Sequence, residues 1–336
     1  MELHSTRPCR VRGWQAWAHP EVPIRLGVSA CLLGDEVRYD GQHARDSFVH
    51  DVLGSQAEWH RVCPEMELGM GTPRPTIRLE QRPDGVHLIA PSSGADHTAA
   101  MQSFAAERIE RLGIADLDGY VVKKNSPSCG LARLPIWKDG QKTSKDGVGF
   151  FTRALQQADP LLPIEEEGRL HDPVLREAFI DRIFCRNRWH VFLAGGPTRN
   201  KLVEFHTSHK MLLRAHDEAG YQLLGNLVGQ AGRMADEQLF ARYGAEFLVC
   251  VARRASRRRH CNVLHHAMGY FKRQLASGDK QLLLEAIEDF RAGHVALTVP
   301  LALIRFNIEQ LGVEYLAGQV YFDPYPKQWM LRNHTQ

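Results

Sequence analysis

The chain has 336 residues, of which 43% are hydrophobic, and a formal net charge of +3. This length suits two globular domains. No apolar run reaches the roughly 18 residues of a membrane helix, and no secretory signal is visible, so we expect a cytoplasmic protein without a membrane partner. The seven cysteines are too sparse for a disulfide framework, which favours metal binding or catalysis for some of them.

Charge is unevenly distributed along the chain. Residues 1–160 carry a net charge of −1, and residues 161–336 carry one of +4. Between Phe247 and Gly278 there are seven Lys or Arg residues and no acidic residue. This asymmetry indicates a polyanionic partner for the second half of the chain.

The first half alternates between strand-like and helix-like segments after an irregular extension, residues 1–23. Strands are predicted over Ile24–Ala30, Trp59–Cys63, Thr76–Leu79, Val86–Ala90 and Leu117–Val122. Helices are predicted over Phe48–Leu53, from Asp96 as N-cap to Gly113, and over Phe150–Ala158. Residues 138–148 are polar and glycine-rich, and we interpret them as a mobile excursion. The alternation predicts an α/β domain over residues 24–160, with an open, mostly parallel sheet.

A proline-containing boundary, Asp159–Pro163, precedes the second half, which has helical periodicity. We predict an all-α domain over residues 166–336. Helical segments are indicated around Val174–Phe184, Lys201–Asp217, Gln238–Tyr243, Leu282–Phe290 and Leu301–Leu311. Residues 252–275 are interpreted as one long basic helix or a pair of helices.

Three cysteines each follow a predicted strand. Cys31 follows Ile24–Ala30, Cys63 ends the second run, and Cys129 lies in the Ser-Pro-Ser-Cys-Gly loop after Leu117–Val122. Ligands of α/β proteins usually bind at the carboxyl ends of strands, so these thiols could converge on one point. Thiolates bind soft metals and iron–sulfur clusters; the alternative is three ordinary buried cysteines. Three ligands on a [4Fe–4S] cluster would leave one iron open, which implies catalysis.

Acidic and hydroxyl side chains near these cysteines form the second group of candidates. Hydrolytic chemistry needs a base for water and a proton source. The residues that we assign to catalytic roles are Asp40, Glu65, Glu67 and Ser126. The candidates for substrate binding are Arg38, Arg74, Lys124 and Ser128. The alternative is that these side chains orient loops through hydrogen bonds or cap a turn.

The basic run of the second half is the third group. Its members are Arg253, Arg254, Arg257, Arg258, Arg259 and Lys272. Contacts with RNA phosphates are the functional interpretation, and a solvated helix face is the alternative. Tyr270 and Phe271 could stack on exposed bases. The histidines His206, His209, His265 and His266 have no cysteine at zinc-finger spacing, so structural or RNA-contacting roles are favoured.

Several ordered motifs between about residues 24 and 158 resemble the thiouracil desulfurase family. They are Ser29–Gly34, Arg38–Gly41, Val62–Glu65, Thr72–Arg74 and Lys124–Gly130. The resemblance implies that Cys31, Cys63 and Cys129 hold a [4Fe–4S] cluster whose fourth iron takes the substrate sulfur. The chain departs from many relatives at Gly69–Gly71, where they have Gly-Gly-Leu.

The second half resembles the helical YbgA-like domain. The motifs that carry this likeness are Phe205–Lys210, Cys261–His266, Gly269–Lys272 and Pro324–Pro326. Such domains are often fused behind a desulfurase domain, and the fused proteins are associated with 4-thiouridine or related thiouracils. The resemblance implies that the helical part binds RNA.

The expected function is non-redox, [4Fe–4S]-dependent removal of sulfur from 4-thiouridine in tRNA, from free 4-thiouracil, or from both, with hydrosulfide as a product. Two alternatives stay open at this point. One is a non-catalytic RNA-binding sensor with an iron–sulfur or zinc site, and the other is a small-molecule thioamide hydrolase with an incidental basic tail. No obligatory protein partner is expected.

Overall fold

The computed structural model describes residues 23–326 together with Trp329 and Arg332. The expected irregular extension therefore lies outside the described residues, except for Pro23. The chain forms two compact units, which divide between Asn187 and Arg188. The division lies beyond the boundary expected at residues 160–166, because the segment that follows that boundary still contributes a strand to the sheet of the first unit.

The first unit contains an entirely parallel sheet, which confirms the predicted fold class. The strands of the unit are β1 (Ile24–Ser29), β2 (Ala57–Val62), β3 (Arg78–Arg82), β4 (Gly85–Ile89), β5 (Gly119–Val122), β6 (Leu134–Lys138), β7 (Gln141–Gly147) and β8 (Ile164–Glu166). Its helices are α1 (Pro64–Glu67), α2 (Thr98–Leu112) and α3 (Phe150–Ala158), with a π-helical turn at Phe48–Val52. The parallel sheet has the strand order β2-β1-β5-β8.

A second, mixed sheet has the strand order β4-β3-β6-β7. Strands β3 and β4 pair antiparallel, as do β6 and β7, whereas β3 and β6 pair parallel. The interpretation of residues 138–148 as a mobile excursion is wrong, because most of them form β7. The side chains of β7 are mainly polar and exposed, so burial does not define this strand. It is defined by backbone pairing with β6, in which Trp137 is opposite Lys142.

The parallel sheet is buried by the helices that pack on it. The side chains of β5 are all buried, as expected for a central parallel strand. Gly27 in β1 lies beside Tyr120 in β5, and a Cβ atom at this glycine would collide with the tyrosine ring. The predicted ends of α2 are close to those observed. Asp96 Oδ1 accepts a hydrogen bond from the amide of Thr98 at 2.9 Å, and Gly113 ends the helix with a φ of 58°.

The described secondary structure of the second unit is helical, as predicted. Helix α4 (Pro173–Ala194) contains the division point, and it is followed by α5 (Arg199–His216), α6 (Glu218–Gly229), α7 (Asp236–Ala252), α8 (Arg257–Met268), α9 (Ser277–Ala292), α10 (Thr298–Gln310) and α11 (Glu314–Ala317). Residues 252–275 are not one long helix. Helix α7 ends at Ala252, and Ser256 then accepts a hydrogen bond from the amide of Arg259 at 3.4 Å and starts α8.

A cluster of aromatic side chains lies in the core of the helical unit. The rings of Trp189 and Phe192 stack with centroids 4.8 Å apart, and those of Phe205 and Phe247 meet edge to face at 5.1 Å. Such pairs are preferred ring geometries. Among the described residues, no helix combines the length and the apolar character that a membrane crossing requires.

Candidate metal centre and its surroundings

The three candidate cysteine ligands lie at one edge of the parallel sheet. Cys31 is in the short 3-10 turn after β1, Cys63 directly follows β2, and Cys129 is in the loop after β5. These three strands are neighbours in the order β2-β1-β5, and parallel strands end at the same edge. All three residues line one cavity of about 390 Å³. The structure therefore brings together residues that are far apart in the sequence.

Burial raises the pKa of each of the three thiols. For Cys31, burial and the neighbouring Cys63 together raise the pKa to about 12. Lys123 and Arg38 act in the opposite direction on the pKa of Cys31. A bound metal cluster takes thiolates, so its binding would release these protons.

Three thiols that line one cavity are a donor set of the kind that iron–sulfur clusters use. None of the three cysteines is in a disulfide. Within the described part of the chain, no group of three His, Cys, Asp or Glu side chains is arranged to hold one metal ion. In a [4Fe–4S] cluster each cysteine binds a different iron, so its ligands need not close on one point. The cationic Lys123 and Arg38 also suit a bound cluster that carries thiolate charge.

Glu65 is the candidate acid that faces the cavity. Its Oε2 accepts a hydrogen bond from Nε of Arg74 at 3.0 Å and is also bonded to Nη2 of that residue. Its Oε1 accepts a hydrogen bond from the hydroxyl of Ser126 at 3.4 Å. All three residues line the cavity. One carboxylate is thus held between a buried guanidinium and the loop of Cys129.

The other two candidate acids do not line the cavity. Glu67 accepts a hydrogen bond from the amide of Cys63 at 3.2 Å and another from Nε of Arg108 at 2.7 Å. Asp40 accepts one from the amide of Gln42 and lies 3.6 Å from Nη2 of Arg38. Both acids thus bond to the loops around the cavity, and their assignment to catalysis stays a prediction.

The loop of Cys129 is fixed by its own serine and by α3. The hydroxyl of Ser126 accepts hydrogen bonds from the amides of Ser128 and Cys129, at 3.2 and 3.1 Å. The amide of Phe151 donates to the carbonyl of Ser128 at 2.9 Å. A Cβ atom at Gly149 would lie 2.6 Å from the carbonyl of Ser128, so only glycine lets the loop approach this closely. Ser128 itself is buried and does not line the cavity.

The candidate substrate-binding cations differ in how they are bound. Arg74 is buried, and its Nη1 donates to the carbonyls of Val37 and Gly71 at 3.0 and 2.8 Å. Its guanidinium is thus committed to the protein, which fits a positioning role. Arg38 and Lys124 line the cavity, and Lys124 is exposed. These two cations are the better placed for a substrate.

Sequence reasoning missed two residues of the cavity. The hydroxyl of Ser29 accepts a hydrogen bond from the amide of Lys123 at 3.0 Å and lies beside Cys129. Burial raises the pKa of Cys129, and the hydrogen bond with Ser29 acts in the opposite direction. The ammonium of Lys123 forms an ion pair with Glu167. Ser29 stands in the same short motif as Cys31, so its position was a usable signal. Glu167, which directly follows β8 and pairs with Lys123, had no such signal in the sequence.

The basic candidates of the second unit are not equivalent. Arg253 pairs with Asp217 at 3.3 Å, and Arg257 lies over the ring of Phe290 at 5.7 Å. Arg259 is only half exposed. The candidates that are well exposed and for which no ion pair is seen in the described chain are Arg254, Arg258 and Lys272. Arginines in the first turn of α8 meet the positive end of the helix dipole, which is unfavourable in the absence of an anion.

The histidines are divided between the core and the surface. His206 and His209 are buried, and Nδ1 of His206 lies 3.1 Å from the hydroxyl of Tyr243. Burial lowers the pKa of His206 to about 4, and it also lowers the pKa of His209 well below its ordinary value. His265 and His266 are exposed. The first pair is thus structural, and the second is available for contact with a partner.

Comparisons with known proteins match the two parts of the chain separately. The family model for 2-thiouracil desulfurase matches residues 26–167, and that of a family described as a protein of unknown function, DUF1722, matches residues 210–326. The chain is 30% identical over 153 residues to the uncharacterized protein YbgA of Escherichia coli (strain K12). The matched region covers 45% of this chain and 90% of that protein.

Two further relatives match the first part. The uncharacterized protein YbbK of Bacillus subtilis (strain 168) is 32% identical over 108 residues, or 31% of this chain and 71% of that protein. A solved structure of the [4Fe-4S]-dependent thiouracil desulfidase TudS is 30% identical and covers 46% of this chain and 98% of that chain, with a TM-score of 0.38. The chain belongs to the 2-thiouracil desulfurase family in its first part and to the DUF1722, YbgA-like family in its second.

Proposed function

We propose that this protein removes sulfur from a thiolated uracil without net redox change, with the aid of a [4Fe–4S] cluster. The substrates are 4-thiouridine in tRNA and free 4-thiouracil, and the products are uridine or uracil and hydrosulfide. The observation that carries the proposal is the placement of Cys31, Cys63 and Cys129 around one cavity, together with Glu65. Membership in the 2-thiouracil desulfurase family supports it.

The three cysteines would hold the cluster, and the cluster when bound supplies a Lewis-acidic iron for the sulfur of the substrate. The rest of the chemistry falls to the protein. Replacement of C=S by C=O consumes one water and releases hydrosulfide, so a base must take a proton from that water. Glu65 is the carboxylate at the cavity, and Arg74 and Ser126 hold it in place. Arg38 and Lys124 are the cations that would orient the substrate.

The helical unit would bind the tRNA. The exposed Arg254, Arg258 and Lys272 supply positive charge without an observed counter-ion, and phosphates are the matching groups. Exposed Tyr270 and His266 add rings on which unpaired bases can stack. This assignment includes a cytoplasmic location, where tRNA is found.

The test is turnover by the reconstituted protein. The protein is purified without oxygen, loaded with iron and sulfide, and incubated either with tRNA that contains 4-thiouridine or with free 4-thiouracil. We expect uridine, uracil and sulfide to appear, as measured by nucleoside analysis and a sulfide assay. Cluster-loaded protein that binds tRNA and releases no sulfur from either compound would instead identify a non-catalytic sensor.

A further inference from the structure

A second cavity, of about 310 Å³, lies beside the cavity of the three cysteines. Four residues line both cavities, so the two adjoin each other: they are Thr76, Ile77, Asn125 and Pro127. Asn125 stands in the loop of Cys129, with a φ of 59°. A molecule bound at the cysteines can therefore extend into the second cavity.

Trp137 in β6 lines this second cavity and is half-buried. Two cations lie against its indole ring. The guanidinium carbon of Arg78 is 4.9 Å from the ring centroid, and Nζ of the exposed Lys142 is 5.2 Å from it. Arg78 is held by an ion pair with Glu80 at 2.6 Å, whereas Lys142 stands on the outer strand β7. A flat ring with two cations thus lies next to the candidate metal centre.

We infer that this second cavity binds the nucleotide that neighbours the thiolated uridine in an RNA chain. The base of this neighbouring nucleotide stacks on the indole ring of Trp137 and displaces Lys142 from the ring. The released ammonium of Lys142 then contacts a phosphate of the RNA. An aromatic ring combined with positive charge is the means by which proteins bind single-stranded nucleic acids. The inference rests on the proposed function, because it takes the thiolated base to lie at the cysteines.

The consequence is a site that distinguishes RNA from the free base. Free 4-thiouracil has no neighbour and gains nothing from the second cavity. An oligonucleotide gains one stacked base and one phosphate contact. The preference is built into the desulfurase unit and needs no contribution from the basic helical unit.

The experiment measures binding and turnover for the full chain. Binding uses a labelled, unmodified uridine tetranucleotide and fluorescence anisotropy, and turnover compares free 4-thiouracil with a tetranucleotide that contains one 4-thiouridine. The variants are Trp137→Ala, Trp137→Phe, Lys142→Ala and the control Lys145→Ala, which changes another exposed lysine of β7. The phenylalanine keeps a ring for stacking.

We expect Trp137→Ala to weaken tetranucleotide binding by at least about tenfold, on the scale of one lost stacked base, and Trp137→Phe to retain most of it. Lys142→Ala should reduce the slope of log K against log salt concentration by about one, and Lys145→Ala should leave that slope unchanged. The kcat/KM for free 4-thiouracil should stay unchanged in every variant.

Equal tetranucleotide binding by wild type and Trp137→Ala would overturn the inference. So would equal losses by Trp137→Ala and Trp137→Phe, or an equal loss of turnover on the free base, since these point to a structural role for the indole. If the wild type releases no sulfur from any compound, the proposed function fails. The binding comparison still decides the inference in that case.

Discussion

Oε2 of Glu65 lies 3.0 Å from Nε of Arg74, and this pair joins helix α1 to the loop before β3. The arginine side chain is only 3% exposed, and its remaining bonds go to the carbonyls of Val37 and Gly71 and to Sδ of Met66. The pair therefore does two things at once. It fixes the shape of the cavity wall, and it holds a carboxylate at the cavity, where the proposed function needs a base for water.

Replacing the carboxylate should separate catalysis from cluster binding. In Glu65→Gln we expect an unchanged iron content and turnover of 4-thiouracil lower by about two orders of magnitude, the scale of a lost general base. Glu67→Gln is the matched control, because Glu67 lies two residues further along α1 and does not line the cavity. It should retain turnover within severalfold. Normal turnover by Glu65→Gln would exclude this residue as the base and leave Asp40 as the next candidate.

Replacing the arginine should destabilise the first unit. Arg74→Met leaves the charge of Glu65 without its buried partner, which costs about 3–5 kcal/mol in comparable pairs. The measurement is the free energy of unfolding by urea, followed by circular dichroism. Arg111→Met is the control, because Arg111 pairs with Glu107 on an exposed face of α2 and should change stability by less than about 1 kcal/mol. Similar values for both variants would contradict the assigned role of Arg74.

The three cysteines should be separable from the other buried thiols. Cys31→Ser, Cys63→Ser and Cys129→Ser should each lose iron and the visible absorbance of the cluster. Cys185→Ser and Cys250→Ser should keep both, because these buried residues do not line the cavity. A Cys63→Ser protein with full iron content would remove that residue from the ligand set.

RNA binding should depend on the exposed cations of the second unit. Simultaneous replacement of Arg254, Arg258 and Lys272 by alanine should weaken tRNA binding and reduce the dependence of log K on log salt by about three, one for each phosphate contact. Turnover of free 4-thiouracil should be unaffected. Arg257 is left unchanged in this variant because its guanidinium packs on the ring of Phe290.

Arg291→Ala is the matched control for that measurement. Arg291 is exposed but paired with Glu288, at 2.5 Å, so its loss should change the salt dependence little. If the triple variant binds tRNA as tightly as the wild type at every salt concentration, RNA recognition lies elsewhere. If the triple variant also loses turnover of the free base, these residues support folding.

The helical unit should lose stability in mild acid. Burial lowers the pKa of His206 to about 4, below the value of about 6.5 in an unfolded chain. Between these two pH values the unfolded state binds more protons, so stability is complete above pH 6.5 and falls as the pH decreases toward 4. The measurement is the melting temperature as a function of pH.

His206→Gln should flatten that pH profile, because glutamine can meet the hydroxyl of Tyr243 without titrating. A double variant that also replaces His209 should flatten it more, since burial lowers the pKa of that histidine too. A profile that keeps its full slope in the double variant would assign the acid sensitivity to other groups.

The grouping of the three cysteines could be predicted because the residues next to each one in the sequence indicate a strand end. Each comes at or after the end of a strand-like run, and a Gly or Pro stands within three residues after it, which places it near a strand end. The sequence could not say which acid faces the cavity. Glu65 and Glu67 are only two residues apart in α1, and their different bonds, to Arg74 and to Arg108, distinguish them.

The missed strand β7 has a different reason. Its segment, Gln141–Gly147, has no alternation of apolar side chains, because it lies at the outer position of its sheet and buries little. Its existence depends on pairing with β6, which is a tertiary property. The second cavity was missed for the same reason, since Lys142 reaches Trp137 only through that pairing.

The dispersal of the three cysteines has a consequence for biogenesis. Residues 31, 63 and 129 meet only after β2, β1 and β5 have paired, so the cluster site does not exist in a nascent or unfolded chain. A cluster held by these three cysteines, as proposed, would therefore need the paired strands before all of its ligands are in place. Small zinc domains differ, because their ligands lie close together in the sequence and the metal itself drives folding. Assembly of the site would thus be tied to formation of the whole parallel sheet.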